Sequence, residues 1–201
     1  MIYEQILLPS MEVFCYILGC ERTRAGAVID PGEDAEGIYK RVQELDLSLV
    51  YILNTHYHFD HTGGTRELKQ LSQAKAAMHE KDIPLYKDQV DIVLQDKDII
   101  SLGDIEIEVI HTPGHTPGGV AFYTKGRLFT GDSLFVGDSG RTDLPYSHRP
   151  SLGASIRKLM EFPAETIVCP GHNYGPSPTS TLRQERMHNV NAREYGFALE
   201  T

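Results

Sequence analysis

The chain has 201 residues, enough for one domain with a substantial core and too few for two of ordinary size, so residues 1–201 are expected to form a single domain. The formal net charge is −9, the pI is about 5.4, and Lys and Arg form no run; this argues against nucleic acid or an anionic membrane surface and favours a small-molecule substrate. No apolar stretch approaches membrane-spanning length, and the segment Ile6 to Gly19, broken by Pro9, Ser10 and Glu12, has no basic region or cleavage site before it, so a cytoplasmic location is expected.

In chain order, the first predicted strands are Val13 to Leu18 and Ala25 to Asp30, separated by a polar turn at Gly19 to Thr23. Cys15, Cys20 and Cys169 are odd in number and show no C-x-x-C spacing, so no disulfide framework is expected. A helix should follow Pro31-Gly32, because Ile38, Val42 and Leu45 recur at helical spacing while Glu33, Asp34 and Glu36 suit its positive end. The unbroken run Leu49 to Leu53 reads as a strand buried on both faces. A short helix from Thr65 to Leu71 leads to a strand from Lys75 to Met78, followed by paired strands over Ile99 to Ile110 and Val120 to Thr130, the latter turning at Lys125-Gly126. Ser151 to Phe162 reads as a helix with Leu152, Ile156 and Leu159 on one face; Pro176 to Ser180 is a loop, and a last helix spans Thr181 to Asn189. Strand blocks with helices between them suggest the α/β class.

Directly after the Leu49 to Asn54 strand stands His56-Tyr57-His58-Phe59-Asp60-His61, four potential metal ligands in six residues. Three imidazoles and a carboxylate so close compete for donors and repel once protonated, a conflict that a divalent cation removes. If the chain stays extended, His56 and His58 project to one side and grip one ion together. Asp60 and His61 are consecutive; if the chain turns into a helix across Thr62, Gly63 and Gly64, they are aimed at a second position. Further ligands stand where strands give way to loops: His115 within His111 to Gly119, Asp132 after Leu128 to Gly131, and His172 after Ile167 to Gly171. Glycine before Asp132 and His172 lets the backbone come close, and a ligand at a strand end is held rigidly yet stays open to substrate. A closed structural zinc site would use four ligands, often Cys, whereas these are too many and include none. His79, His111, His148 and His188 are expected on the surface or in hydrogen bonds, with His111 able to orient the His115 loop. Asp30 is expected to hold a loop as a hydrogen-bond acceptor, and Cys169 to pack in a buried strand.

His-x-His-x-Asp-His followed by separate His, Asp and His positions resembles the metallo-β-lactamase fold, specifically its glyoxalase II-like branch. The resemblance extends over nearly the whole chain, through Val28 to Gly32, Thr55 to Gly64, His111 to Gly119, Gly131 to Phe135 and Gly171 to Gly175. It implies a four-layer αββα sandwich of two mixed β-sheets flanked by helices. It also implies two divalent ions (zinc, iron or manganese), one held by His56, His58 and His115, the other by Asp60, His61 and His172, with Asp132 bridging. Two ions sharing a carboxylate can share a water and make hydroxide available near neutral pH. The implied reaction is hydrolysis of an S-acylglutathione of the S-lactoylglutathione type, with Asp60 as ligand and orienter of the hydroxide; thiolate is a good leaving group without a strong general acid.

The chain has nothing that matches the additional C-terminal helical region by which full-length glyoxalase II proteins hold glutathione, and so resembles the short form. Arg141, Arg183 and Arg186 are then candidate partners for glutathione carboxylates, with Tyr146 and Tyr174 as hydroxyl donors. The rival resemblance is to persulfide dioxygenases, carried by Gly140-Arg141-Thr142-Asp143, His172 to Gly175, Ser180-Thr181 and Glu185-Arg186. It implies a single Fe(II) on His56, His115 and Asp132 with open positions for oxygen and glutathione persulfide. Pro170-Gly171-His172 is closer to the hydrolase form. A metal-binding module without turnover is the third reading, and β-lactamase activity is disfavoured because Asp132 stands where such lactamases usually carry Cys.

Overall fold

In the computed structural model, which describes residues 1–198, the first half of the chain forms a sheet from β1 (Ile2–Leu8), β2 (Val13–Gly19), β3 (Ala25–Ile29), β4 (Ser48–Leu53), β5 (Lys75–His79) and β6 (Ile92–Leu94), in that spatial order. β1 to β3 pair antiparallel and β3 to β6 parallel. The connections carry α1 (Ala35–Glu44), the single turn α2 (Phe59–Thr62) and α3 (Thr65–Ser72). The second sheet comprises β7 (Ile99–Leu102), β8 (Ile105–His111), β9 (Val120–Thr124), β10 (Arg127–Gly131), β11 (Ile167–Pro170) and β12 (Ser180–Thr181), again in spatial sequence, with α4 (Arg149–Leu159) and α5 (Leu182–His188). Its β10–β11 pair is parallel and the others antiparallel, so both sheets are mixed.

Period-two alternation builds the layers. Phe14, Tyr16 and Leu18 of β2 point into the space between the sheets and meet Ile107, Val109, Phe122 and Phe129. Cys15 and Ile17 point the other way, onto Ile38 and Val42 of α1 and Leu68 of α3. In the second sheet Leu128 and Val168 face outward to Leu152, Ile156 and Leu159 of α4 and Leu182 of α5. The result is the expected αββα sandwich. Tyr16 is buried, and its hydroxyl donates to Pro170 O at 2.6 Å, which pins the end of β11 two residues before His172.

α1 begins where its charges suggested, the Asp34 side chain accepting from Gly37 N–H. α4 begins at Arg149, before the expected Ser151, because Pro150 suits the first turn and His148 caps it, Nδ1 accepting from Ser151 N–H. β4 is buried on both faces, Leu53 against the second sheet and Ile52 against the helices; within Leu49–Leu53 only Val50 departs, 39% exposed where the β3–β4 register skips it between Leu49 and Tyr51. Three strands were not anticipated. β1 is a half-buried edge strand without strict alternation, and β6 and β12 have three and two residues, too few for a period. No helix among the described residues is long and apolar enough to cross a membrane.

Candidate metal centre

All the proposed ligands lie at one edge of the sandwich, just beyond the C-terminal ends of β4, β8, β10 and β11. After Leu53 the chain bends through Thr55, His56 and Tyr57 instead of staying extended, and α2 starts already at Phe59. It starts there because His58 O accepts from His61 and Thr62 N–H, each at 3.1 Å, which places Asp60 and His61 on the turn. The bent segment is tied down by Asp30, which accepts from Thr55 N–H and Thr55 Oγ1, both at 2.7 Å. The two glycines before ligands are required as expected. Gly131 adopts φ +48° and a Cβ there would lie 2.5 Å from Thr55 Oγ1, while a Cβ on Gly171 would strike Asp132 Oδ1.

The side chains converge. Three sets of ligand atoms each fall within 4.8 Å of one another: His56, His58 and His115; Asp60, His61 and His172; and His56, His61 and Asp132. His58 Nδ1 lies 3.1 Å from His56 Nε2 and 3.0 Å from His115 Nε2. His61 and His172 face each other through Nε2 at 3.1 Å, with Asp60 Oδ2 at 3.7 and 3.5 Å from them. Asp132 spans the two groups: Oδ1 is 3.2 Å from His61 Nε2, and Oδ2 is 3.4 Å from both His115 and His172 Nε2. Donors about 2.0–2.1 Å from a tetrahedral ion stand about 3.3–3.4 Å apart, so this spacing suits metal ligation.

Hydrogen bonds on the far side of the rings decide what these atoms can do. His115 Nδ1–H donates to Arg141 O and His172 Nδ1–H to Met11 O, each at 2.9 Å; a carbonyl can only accept. His61 Nδ1–H donates to Asp30 Oδ2 at 3.0 Å, and His56 Nδ1–H to Thr55 Oγ1 at 3.0 Å, whose own hydrogen is given to Asp30. With Nδ1–H committed on the far side, four rings turn Nε2 into one space, the arrangement typical of metal-binding histidines. Asp132 Oδ1 is buried without a hydrogen-bond partner. Convergent lone pairs and an orphaned carboxylate oxygen are an unfavourable arrangement until positive charge is placed among them, and the residues fit a divalent cation at each of two positions.

The electrostatics agree. Burial, aided by His61 and by His115 respectively, pushes His56 well down and His58 down to about 4, which keeps both neutral as ligands must be. Burial opposes charge on His61 and His172 as well, but the carboxylates outweigh it. Asp132 and Asp30 hold His61 well above its ordinary value, and bonds to Asp132 and Asp60 lift His172 to about 9. Burial would raise Asp132, yet His61 and His172 hold it well below the usual carboxylate range. Without a metal, protons fill the place of the cations.

A cavity of about 560 Å³ opens over the ligands. Of the expected substrate-binding side chains, Arg141 and Tyr174 line it and Tyr146, Arg183 and Arg186 do not. Tyr146 is two-thirds exposed; Arg183 pairs with Glu165, and Arg186 donates to Met160 O, both on α5 facing away from the ligands. Tyr174 stacks on His172 with ring centroids 4.4 Å apart. His111 donates to Pro117 O within the His115 loop, as expected, and stacks face to face on His79. Cys169 is buried in β11. Asp82 was not anticipated. It is fully buried and accepts from Tyr57 N–H at 3.0 Å, Thr116 Oγ1 at 2.8 Å and Gly118 N–H at 2.5 Å, joining the His56–His58 segment to the His115 loop. No spacing announces it, because its partners are 25 to 36 residues away in sequence.

Two mixed sheets between helix layers, with a His/Asp cluster at one edge, define an α/β sandwich of the metal-binding kind. Residues 11–172 match the family described as the Metallo-beta-lactamase superfamily, and the chain belongs to that superfamily. It is 34% identical over 207 residues to a protein named hydroxyacylglutathione hydrolase GloC from Haemophilus influenzae, covering 92% of this chain and 95% of that one. It is 33% identical over 190 residues to the human mitochondrial persulfide dioxygenase ETHE1, covering 92% and 74%. A solved structure of TTHA1623 in a di-iron-bound form superposes with a TM-score of 0.82 at 31% identity, covering 93% of this chain and 98% of that one.

Proposed function

We propose that the protein is a binuclear metal-dependent thioester hydrolase, with S-lactoylglutathione as the reference substrate. His56, His58 and His115 would hold one divalent ion and Asp60, His61 and His172 the other, with Asp132 between them. The observation that carries this reading is the placement of Asp132, whose carboxylate stands 3.4 Å from His115 of one group and 3.2 and 3.4 Å from His61 and His172 of the other. When bound, the two cations would supply charge for an acyl oxyanion and for ionising water at neutral pH.

The chain's own residues do the rest. Asp60 borders the cavity; burial alone would raise its carboxyl, but bonding to His172 and the charge of His61 bring it below its ordinary value, so it stands ionised as an acceptor for a proton of the attacking water. Asp30, Thr55, Met11 O and Arg141 O keep the rings turned inward throughout. The C–O bond forms by addition of the water oxygen to the carbonyl carbon as Asp60 takes the proton; the C–S bond then breaks, and the thiol leaves as thiolate without needing an acid from the protein.

A second reading uses the same atoms. His56, His115 and Asp132 lie close enough to hold a single Fe(II) as two histidines and a carboxylate, the arrangement of a persulfide dioxygenase. Metal per chain, measured by plasma mass spectrometry on protein purified anaerobically without added metal, separates the two. About two ions of zinc, iron or manganese, with thiol release from S-lactoylglutathione, is the expected result; one iron with oxygen uptake on glutathione persulfide would replace the hydrolase with the dioxygenase.

A further inference from the structure

The cavity over the ligands is poorly suited to the carrier that the reference substrate brings. Glutathione carries two carboxylates, which bind tightly only where cations or oriented donors meet them. Among the described lining residues the only cation is Arg141, and its guanidinium is already held by Asp143 through bonds of 2.6 and 2.7 Å. The other charged side chain on the wall, apart from the ligands, is acidic Asp138. Arg183 and Arg186 stand outside it, engaged elsewhere.

What the wall does offer is apolar surface. Apart from the ligands, nine residues line the cavity, and six of them are Met11, Phe59, Phe135, Leu144, Pro145 and Tyr174. Phe59 is 74% exposed, Tyr174 56% and Met11 45%, so three large apolar side chains face solvent at one mouth. Scattered exposed apolar residues need no explanation, but a cluster around a set of ligands marks a surface that a substrate covers.

We propose that the substrate is a thioester with an extended apolar acyl chain on an uncharged thiol, the chain lying along Phe59, Phe135, Leu144 and Tyr174, and that the site has no pocket for the carboxylates of glutathione. The proposal rests on the thioester reading for its chemistry and on the cavity wall for its selectivity. Each buried methylene tightens binding about fourfold. A glutathione carrier leaves its carboxylates in solvent and adds little.

Non-hydrolysable thioethers test the wall without turnover. Dissociation constants of S-ethyl- and S-octyl-N-acetylcysteamine and of S-octylglutathione would be measured calorimetrically on the metal-loaded protein at near-physiological salt. The expected result is at least thirtyfold tighter binding of octyl than ethyl, with less than a threefold difference between the two octyl carriers. Leu144→Asp, at a half-buried position, should weaken the octyl ligand at least tenfold and leave the metal content unchanged. Tenfold or greater preference for the glutathione thioether, lost in Arg141→Ala, overturns the proposal, as does indifference to chain length. Thiol release from the matching thioesters is followed in parallel. Chain-length-dependent binding without thiol release would refute the hydrolase reading and leave the apolar selectivity standing, whereas release that is faster from S-lactoylglutathione than from the octanoyl compound would do the reverse.

Discussion

Asp82 touches neither ligand atoms nor cavity, yet it fixes the distance between two ligand-bearing segments. Tyr57, whose N–H it accepts, stands between His56 and His58; Thr116 and Gly118, its other donors, follow His115 by one and three residues. Asp82→Ala leaves three donors unmet in a fully buried place, and at about 1–3 kcal/mol for each unsatisfied group, reduced by entering water and small backbone shifts, the loss should be about 3–5 kcal/mol. Asp82→Asn keeps one acceptor oxygen and turns an amide NH₂ toward the remaining donors, so it should cost less, about 1–3 kcal/mol, and keep the fold. Urea unfolding of the metal-stripped protein measures that term. Cobalt(II) titration, read through its visible absorption, measures the consequence for the site. The trio His56, His58 and His115 should bind at least tenfold more weakly in Asp82→Asn, while the Asp60, His61 and His172 position is unchanged, because none of the bonds to Asp82 reaches it. Equal weakening of both positions would refute the positioning argument, as would stability and titration indistinguishable from the parent.

Asp132→Ala removes the carboxylate that faces both groups, and metal content should fall from about two ions to well below one, checked by plasma mass spectrometry after gel filtration. Asp60→Ala should retain one ion and lose the other, with thiol release falling by at least a hundredfold; full retention of metal would favour the mononuclear reading. Metal uptake should also release protons. His172, at about 9, and His61, held well above its ordinary value, are protonated in the metal-free protein at pH 7 and must give up those protons to bind, whereas His56 and His58 are already neutral. Affinity should therefore rise with pH from 7 through about 9, where His172 loses its proton, and calorimetry at pH 7 in buffers of different ionisation heat should show at least one proton released per chain; none released would contradict the charge assignment.

The clustering in the hexapeptide was legible because it is local: four potential ligands fall within six residues, so their proximity needs no knowledge of the fold. His115, Asp132 and His172 were legible for a different reason, since each follows an apolar run and a loop-forming glycine or proline, and that order is how a sheet delivers a rigid side chain to its edge. The layers were equally open to reading wherever alternation is clean, as in Phe14, Tyr16 and Leu18 against Cys15 and Ile17. Where alternation is weak or the element is short, as in β1, β6 and β12, pairing with a neighbour decides the conformation and the local pattern carries no trace of it.

What the sequence leaves hidden is the set of groups that act at a distance along the chain. Asp30 could be placed as an acceptor, but not as the residue that both holds Thr55 and sets the tautomer of His61, 31 positions on. Which of the five substrate-binding candidates border the cavity is decided on the same ground. An arginine or tyrosine is recruited by the surface it faces, and whether Arg141 and Arg183 share that surface depends on how β11 and α5 are laid beside the Asp132 loop, not on residue type. Side chains that are to share a cation must meet a tight geometry that few arrangements satisfy. A cavity wall that includes Phe59, Phe135, Leu144 and Tyr174 faces no such constraint, so its chemistry becomes readable only once the fold has brought those four side chains together.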